Sequence, residues 1–441
     1  GDPAERATWL DRTLEARAGI VSLGLSWRGV AAAQRPSDPT NPGSASYDFS
    51  GIDAAVRDAK ARGLVVLLLV NSAPAWAEGP NPPDWSPLGT WKPSPSDLAD
   101  FMRAVASRYS GGFDPDGAGP APRLPAVQAL EIWAEPNLEV NLTPQYEGKT
   151  AVSPTHYREM LNAAYSAVKA VDPEMLVVTG GPSPYGDSVN RVRPVQFYRD
   201  LLCVQQMKKK GKKKRGASKP VFVRAQNCPA PAKFDVLAHN PINTSGGATR
   251  SAINPDDASS PDMDRIMRVL RAAERLGTVL PGPHPLWATE SWWDSKPPNS
   301  AGAPLGLQAR WTEQAMYLVW QDGASVFINL LIRDLGTGPH DSHSAVDSGL
   351  FFANGQPKPA YTAFRFPFVA DRIDKRRLRV WGKAPDGGKL VVQRERRGRW
   401  LAVKRIKVSE GAIFVAKLPL RGKQRLRARV GGTQSLVWKQ G

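Results

Sequence analysis

The chain has 441 residues, and 59 Lys and Arg against 41 Asp and Glu give a net charge of +18. That length holds one large domain plus a small one. No apolar run reaches the roughly 20 residues of a membrane span, and no signal peptide is visible.

Residues 4–17 read as a helix, with Ala7, Leu10 and Leu14 at helical spacing. Strand-like apolar runs follow at 19–27, 64–71, 126–134, 175–181, 233–239, 284–290 and 324–332. Helical patterns alternate with them at 51–62, 97–109, 154–170, 192–206, 262–276 and 307–321. In the second of these, Leu98, Phe101, Met102, Val105 and Tyr109 share one face, with Asp97 in the first turn. Such alternation predicts an α/β fold, a parallel sheet closed into a (β/α)8 TIM barrel, over residues 1–370.

Cys203 and Cys228 bracket a run of like charge, Lys208-Lys209-Lys210-Gly211-Lys212-Lys213-Lys214-Arg215. The run reads as a solvated loop, because like charges repel and form no core. In an exported protein the two cysteines suggest a disulfide, worth on the order of 3 kcal/mol, against the alternative of two free thiols.

Residues 371–441 change character, with 21 Lys and Arg against 5 Asp and Glu. Alternating segments such as Lys389–Gln393, Trp400–Val403, Ala412–Ala416 and Leu426–Val430, punctuated by glycines, predict a small antiparallel β-sandwich. Its basic faces suit an anionic polysaccharide or cell surface, or are simply solvated arginines. No zinc-finger spacing or RNA-recognition signature occurs, so no specific nucleic-acid partner is expected. His340, Asp341 and His343 cluster without a metalloprotease pattern, and a polar loop lining a cleft explains them as well. Phosphate-binding glycine loops and Gly-x-Ser-x-Gly elbows are absent from the sequence, so neither metal nor cofactor is expected in catalysis.

Two segments carry chemistry: Glu131-Ile132-Trp133-Ala134-Glu135-Pro136-Asn137 and Leu286-Trp287-Ala288-Thr289-Glu290-Ser291-Trp292-Trp293. Each is an apolar run delivering a glutamate beside tryptophan. Glycosidic cleavage needs one carboxyl group to protonate the leaving oxygen and a second to meet the oxocarbenium-like carbon. Burial beside an indole raises a carboxyl pKa toward the range of a general acid. Trp76, Trp133, Trp287, Trp292 and Trp293 are candidate sugar platforms, although a tryptophan near a glutamate is often only packing. Asn137, His239 and Asn240 are candidate substrate contacts. Glu131, at the start of its strand, is expected at the opposite end of the barrel.

The pair resembles the signature of clan A glycoside hydrolases, in particular the family 39-like group of β-xylosidases and α-iduronidases and its secreted bacterial members. Gly349-Leu350-Phe351-Phe352, Lys358-Pro359-Ala360-Tyr361 and Phe364-Arg365-Phe366-Pro367-Phe368 are similar to that group's barrel ending. The resemblance spans roughly residues 1–370 and implies Glu135 as acid/base after the fourth strand and Glu290 as nucleophile after the seventh. It further implies retention of configuration, with carboxyls about 5–5.5 Å apart. Because Glu135 follows only the third predicted strand, the first barrel strand and any export signal are expected upstream of residue 1, in a secreted or cell-surface protein.

Three departures stand out. Ala134 replaces the asparagine that usually contacts the sugar 2-hydroxyl, Ser22 stands in place of a supporting arginine, and His239-Asn240-Pro241-Ile242 lacks the usual His and Tyr. Asn137, Asn240 or Asn243 are the candidates to take over the lost contact. The competing expectation is a carbohydrate-binding barrel that kept the fold and lost turnover.

Overall fold

Short runs rich in Val, Leu and Ile build the centre of the molecule in a computed structural model. It describes residues 2–115, 123–207, 220–226, 228–243, 246–338 and 345–440. The strands are β1 (Ile20–Ser26), β2 (Val65–Asn71), β3 (Ala129–Ile132), β4 (Leu176–Thr179), β5 (Leu237–His239), β6 (Leu286–Ser291) and β7 (Ala324–Asn329). Parallel ladders join β1 through β4 and β5 through β7, and a parallel bridge from Val178 to Val236 links the two groups. The strands therefore follow one another in sequence order, as βα units require. Between β1 and β7 there is no ladder among the described residues.

Helices alternate with the strands: α1 (Pro3–Glu15), α2 (Ser50–Ala61), α3 (Pro95–Arg108), α4 (Ser153–Val171), α5 (Pro194–Leu201), α6 (Met263–Leu276) and α7 (Leu305–Gln321). A short α8 (Pro359–Arg365) follows. Ser94 caps α3 by accepting from the Asp97 N–H, which satisfies one of the first-turn donors. The helix expected over 192–206 stops at Leu201. Val204–Gln206 instead pairs antiparallel with Phe222–Arg224, and the Cys203–Cys228 disulfide closes that ribbon across a Cα separation of 5.7 Å. The lysine run at 208–215 lies outside the described residues, as do His340, Asp341 and His343.

Alternation along each strand sorts the core. Leu68, Leu130, Ile132, Val177 and Leu237 meet the helices, while Leu67, Ala129, Val178, Ala238 and Trp287 form a second cluster on the opposite face. Above this inner layer lies the site described below.

Two antiparallel sheets form the C-terminal region: β8 (Phe368–Asp374), β9 (Arg377–Lys383) and β12 (Ile413–Leu418) in one, and β10 (Gly388–Arg396), β11 (Arg399–Val408) and β13 (Arg425–Val430) in the other. The expected boundary at 371 falls inside β8. This region packs on α7 through Tyr317 and Trp320 against Trp381. Tyr361 and Phe364 join Trp9 and Phe351, while Phe368 enters the sandwich core.

One buried cation ties the loops after β6 and β7 together. Lys358 Nζ donates to Asp334 Oδ1 (2.6 Å), Ser295 Oγ (2.8 Å) and the Asp347 carbonyl (2.8 Å), which uses all three of its protons. Both Lys358 and Asp334 side chains are 0% exposed. Truncating one partner of such a pair strands the other charge. Lys358→Met is expected to lower unfolding free energy by about 3–5 kcal/mol, measured by denaturant titration.

Candidate active site

Strand β3 ends at Ile132, and the backbone then turns sharply, with φ of 73° at Trp133 and 35° at Glu135. Left-handed conformations are costly for side chains of this size, and neighbours must enforce them. Trp133 donates its indole N–H to the Asn141 carbonyl at 2.7 Å and its backbone N–H to Val70 at 2.8 Å. Gly180 completes the clamp, because a Cβ there would collide with the Trp133 carbonyl. The turn swings the Glu135 carboxyl over the end of the sheet.

Glu290 arrives from β6 by a different device. The β6–β7 register shifts between Ala288 and Ser291. Such irregularities re-aim side chains, which explains how Thr289 and Glu290, adjacent in sequence, both serve one site. From β5, Asn240 reaches between the acids: its Nδ2 donates to Glu135 Oε1 at 3.1 Å and to Glu290 Oε2 at 3.3 Å. The two oxygens are thus no further apart than the sum of those distances. Trp292 Nε1 donates to the other Glu290 oxygen at 3.2 Å.

A third acid belongs to this cluster. Glu131 was expected at the far end of the barrel, but β3 is only four residues long and Glu131 is its third. It is 4% exposed and accepts from the Gly181 N–H at 3.1 Å, directly beneath the pair. Burial pushes the Glu135 carboxyl up to about 7, offset in part by the Asn240 amide and the Arg191 charge. Burial likewise raises Glu290 to about 8, reinforced by the negative charges of Glu135 and Glu131 and opposed by the Trp292 N–H. Glu131 rises to about 8, again chiefly through burial.

The other expected contacts separate clearly. Trp292, 7% exposed, stands beside Glu290. Trp133 is 1% exposed and supports the turn from beneath, so it offers no open platform. Trp293 donates to the Asn243 and Gly246 carbonyls and packs on Trp311, and Trp287 lies in the inner apolar layer. Trp76 packs edge-on to Trp27 and donates to the Ala32 carbonyl. Asn137 is fully buried, exchanging hydrogen bonds with Ser183 and Val192. Asn243 is similarly occupied by Gly247 and Arg250. His239 is buried against Tyr198 and the Ala258 carbonyl, and burial holds it down to about 4, hence neutral. Of the three asparagines, Asn240 alone meets the carboxyls. Thr289, Gly181 and Arg191 were not singled out from sequence; the Gly180-Gly181 pair closing a strand was the available signal.

These acids bind protons more tightly in the folded chain than unfolded. From the ordinary value of 4.5 up to about 7–8 the folded state therefore holds more protons, and stability falls as pH rises. Melting temperature is expected to decline across that window. Glu135→Gln and Glu290→Gln are each expected to flatten the decline and to stabilise the protein at pH 8 by on the order of 1 kcal/mol, read from melting curves at several pH values.

No family model matches the sequence, and no curated protein matches it. Solved structures do. A family 39 glycoside hydrolase from the gut symbiont Bacteroides cellulosilyticus WH2 superposes with a TM-score of 0.53 at 16% identity, covering 94% of this chain and 76% of that one. A glucosidase from Croceicoccus marinus gives 0.53 at 15% identity, over 93% and 89% of the two chains. A monomeric β-xylosidase from Caulobacter crescentus CB15 gives 0.50 at 17% identity, over 94% and 90%. The chain shares the fold of these glycosidases.

Proposed function

We propose that this protein is a retaining glycoside hydrolase in which Glu290 is the nucleophile and Glu135 the acid/base. The observation that carries this reading is the single amide nitrogen within hydrogen-bond reach of both carboxyls. One donor reaching both carboxyls holds them close together, in keeping with the roughly 5–5.5 Å spacing of double displacement. Taken singly, Glu290 is raised further than Glu135. The two titrate as a unit, however, and hydrogen bonding argues for the opposite placement of their shared proton. Glu290 accepts from both Trp292 and Asn240, which favours its ionised form, whereas among the described residues Glu135 accepts from Asn240 alone, with the Arg191 charge as its other support.

Glu290 would attack the anomeric carbon while Glu135 gives its proton to the departing oxygen. Glu135, now a carboxylate, would then deprotonate the water that releases the sugar from Glu290. In this reading β1–β7 are strands of a TIM-type barrel, with the two glutamates at the C-terminal ends of β3 and β6. The competing reading, a carbohydrate-binding barrel without turnover, is favoured by Ala134.

Aryl-glycoside and polysaccharide screening distinguishes the two. Glu290→Gln is expected to abolish turnover of every substrate. Glu135→Gln is expected to cost about 10²–10⁴-fold on poor leaving groups and far less on an activated aryl leaving group, which needs no proton. Binding without turnover in the wild type would support the competing reading.

We also infer that the C-terminal sandwich meets an anionic polysaccharide or cell surface, outside the cell where a disulfide persists. On the outer face of its second sheet, Arg405 and Arg429 flank Val391 in one cross-strand row, and exposed Lys389 and Lys407 form the next. Arg425 is already paired with Glu395 at 2.7 Å. Reversing Arg405 and Arg429 to Glu is expected to weaken retention on an anionic polymer about tenfold at low salt. Hydrolysis of a small neutral glycoside should be unaffected, and high salt should erase the difference.

A further inference from the structure

The two-carboxyl mechanism gives Glu131 no task, yet Glu131 is the most enclosed acid of the site. In the ladders it sits between Leu69 and Val178, with its side chain above the inner apolar layer. One carboxyl oxygen accepts from Gly181 N–H, and among the described residues the other hydrogen-bonding partner is the Thr289 side chain, which would favour the ionised acid if its hydroxyl donated to it. Among the described residues, the ionisable groups that act on or feel Glu131 are Glu135, Glu290, Tyr157 and Tyr198, none of them a cation.

Proton accounting fixes the direction of the contacts. Thr289 Oγ1 lies 3.0 Å from Asn240 Oδ1, and a carbonyl oxygen only accepts, so the hydroxyl donates there. A hydroxyl has one proton. Toward Glu131, Thr289 can therefore only accept, and the carboxyl must bring the proton. The amide assignment is equally constrained, because carboxylates accept and Asn240 must turn its NH2 toward Glu135 and Glu290. Gly181 lets the chain close: a Cβ there would sit 2.6 Å from both Asn240 Oδ1 and Thr289 Oγ1.

Building on the glycosidase reading, we propose that Glu131 is a positioning residue. As a neutral acid it heads a hydrogen-bond relay through Thr289 that fixes the Asn240 amide between the two catalytic carboxyls. Ionising Glu131 reverses the relay. Thr289 then turns its proton to Glu131, Asn240 Oδ1 loses its donor, and the amide is free to present oxygen to carboxylates.

The test combines kinetics with infrared spectroscopy of the intact protein. Glu131→Leu and Thr289→Val are each expected to lower kcat on an aryl glycoside about 100-fold with little change in KM. Glu131→Gln, whose amide can donate to Thr289 and accept from Gly181, should recover at least about tenfold of that loss. It should also move the alkaline limb of the pH profile upward, since it cannot ionise. Equal loss in Glu131→Gln and Glu131→Leu, or wild-type kcat in Thr289→Val, overturns the proposal. The spectroscopic arm needs no turnover. Wild type at neutral pH should show a protonated-carboxyl band that Glu131→Gln lacks. Absence of that difference overturns the relay even if the enzyme is active, and its presence in a protein that hydrolyses nothing leaves the relay standing while the glycosidase reading fails.

Discussion

Two carboxyl groups that share one amide nitrogen repel each other whenever both are ionised, and burial leaves little water to screen them. Everything around Glu135 and Glu290 can be understood as managing that repulsion. A proton retained near neutrality removes one charge, and the N–H groups of Asn240 and Trp292 accommodate the other. The arrangement costs stability, since the folded chain would be easier to hold together with neutral side chains in their place. Such a cost persists in a fold when the surrounding structure over-determines the geometry.

The over-determination is visible in the backbone. Glu135 hangs from a turn with two side-chain-bearing residues at positive φ, held on one side by Val70 and Asn141 and on the other by the close approach of Gly180. Glu290 depends on a register slip in β6. Neither device tolerates loose loops beyond it. The Lys358 network supplies stiffness there, joining Ser295, Asp334 and Asp347 through one buried ammonium group. Three unrelated local constraints thus converge on the relative placement of two oxygens.

Much of this was legible in the sequence, and the rest was hidden for identifiable reasons. Apolar runs bounded by Gly and Pro located all seven strands, because the strands of a parallel sheet admit little else. The pattern at 192–206 misled, since Val204 continues the apolar spacing although the chain has already left the helix at Leu201. Glu135 and Glu290 stood out because a carboxylate ending an apolar run is chemically conspicuous. Glu131 did not, because it opens the conspicuous segment and reads as the start of its strand, whereas it is the third residue of a ladder that ends at Ile132. The tryptophans misled in another way: their polar N–H groups find backbone carbonyls beneath the surface, so proximity in sequence gave no guide to which face was open. Only geometry separates Trp292 from Trp133 and Trp293.

Ala134 is the most instructive departure. A missing amide beside Glu135 suggests a disabled site when each position is considered alone. In three dimensions the position next to Glu135 is only one of several strand ends that can deliver a donor to the same point. Asn240 brings an amide to the two carboxyls from the end of β5, two strands away from β3 in the sheet order. An amide arriving from there approaches through the space above Gly181, which accounts for a glycine where any side chain would block Asn240 and Thr289 together. A site is defined by the groups that converge on it, and convergence can survive when the strand that supplies a given group changes.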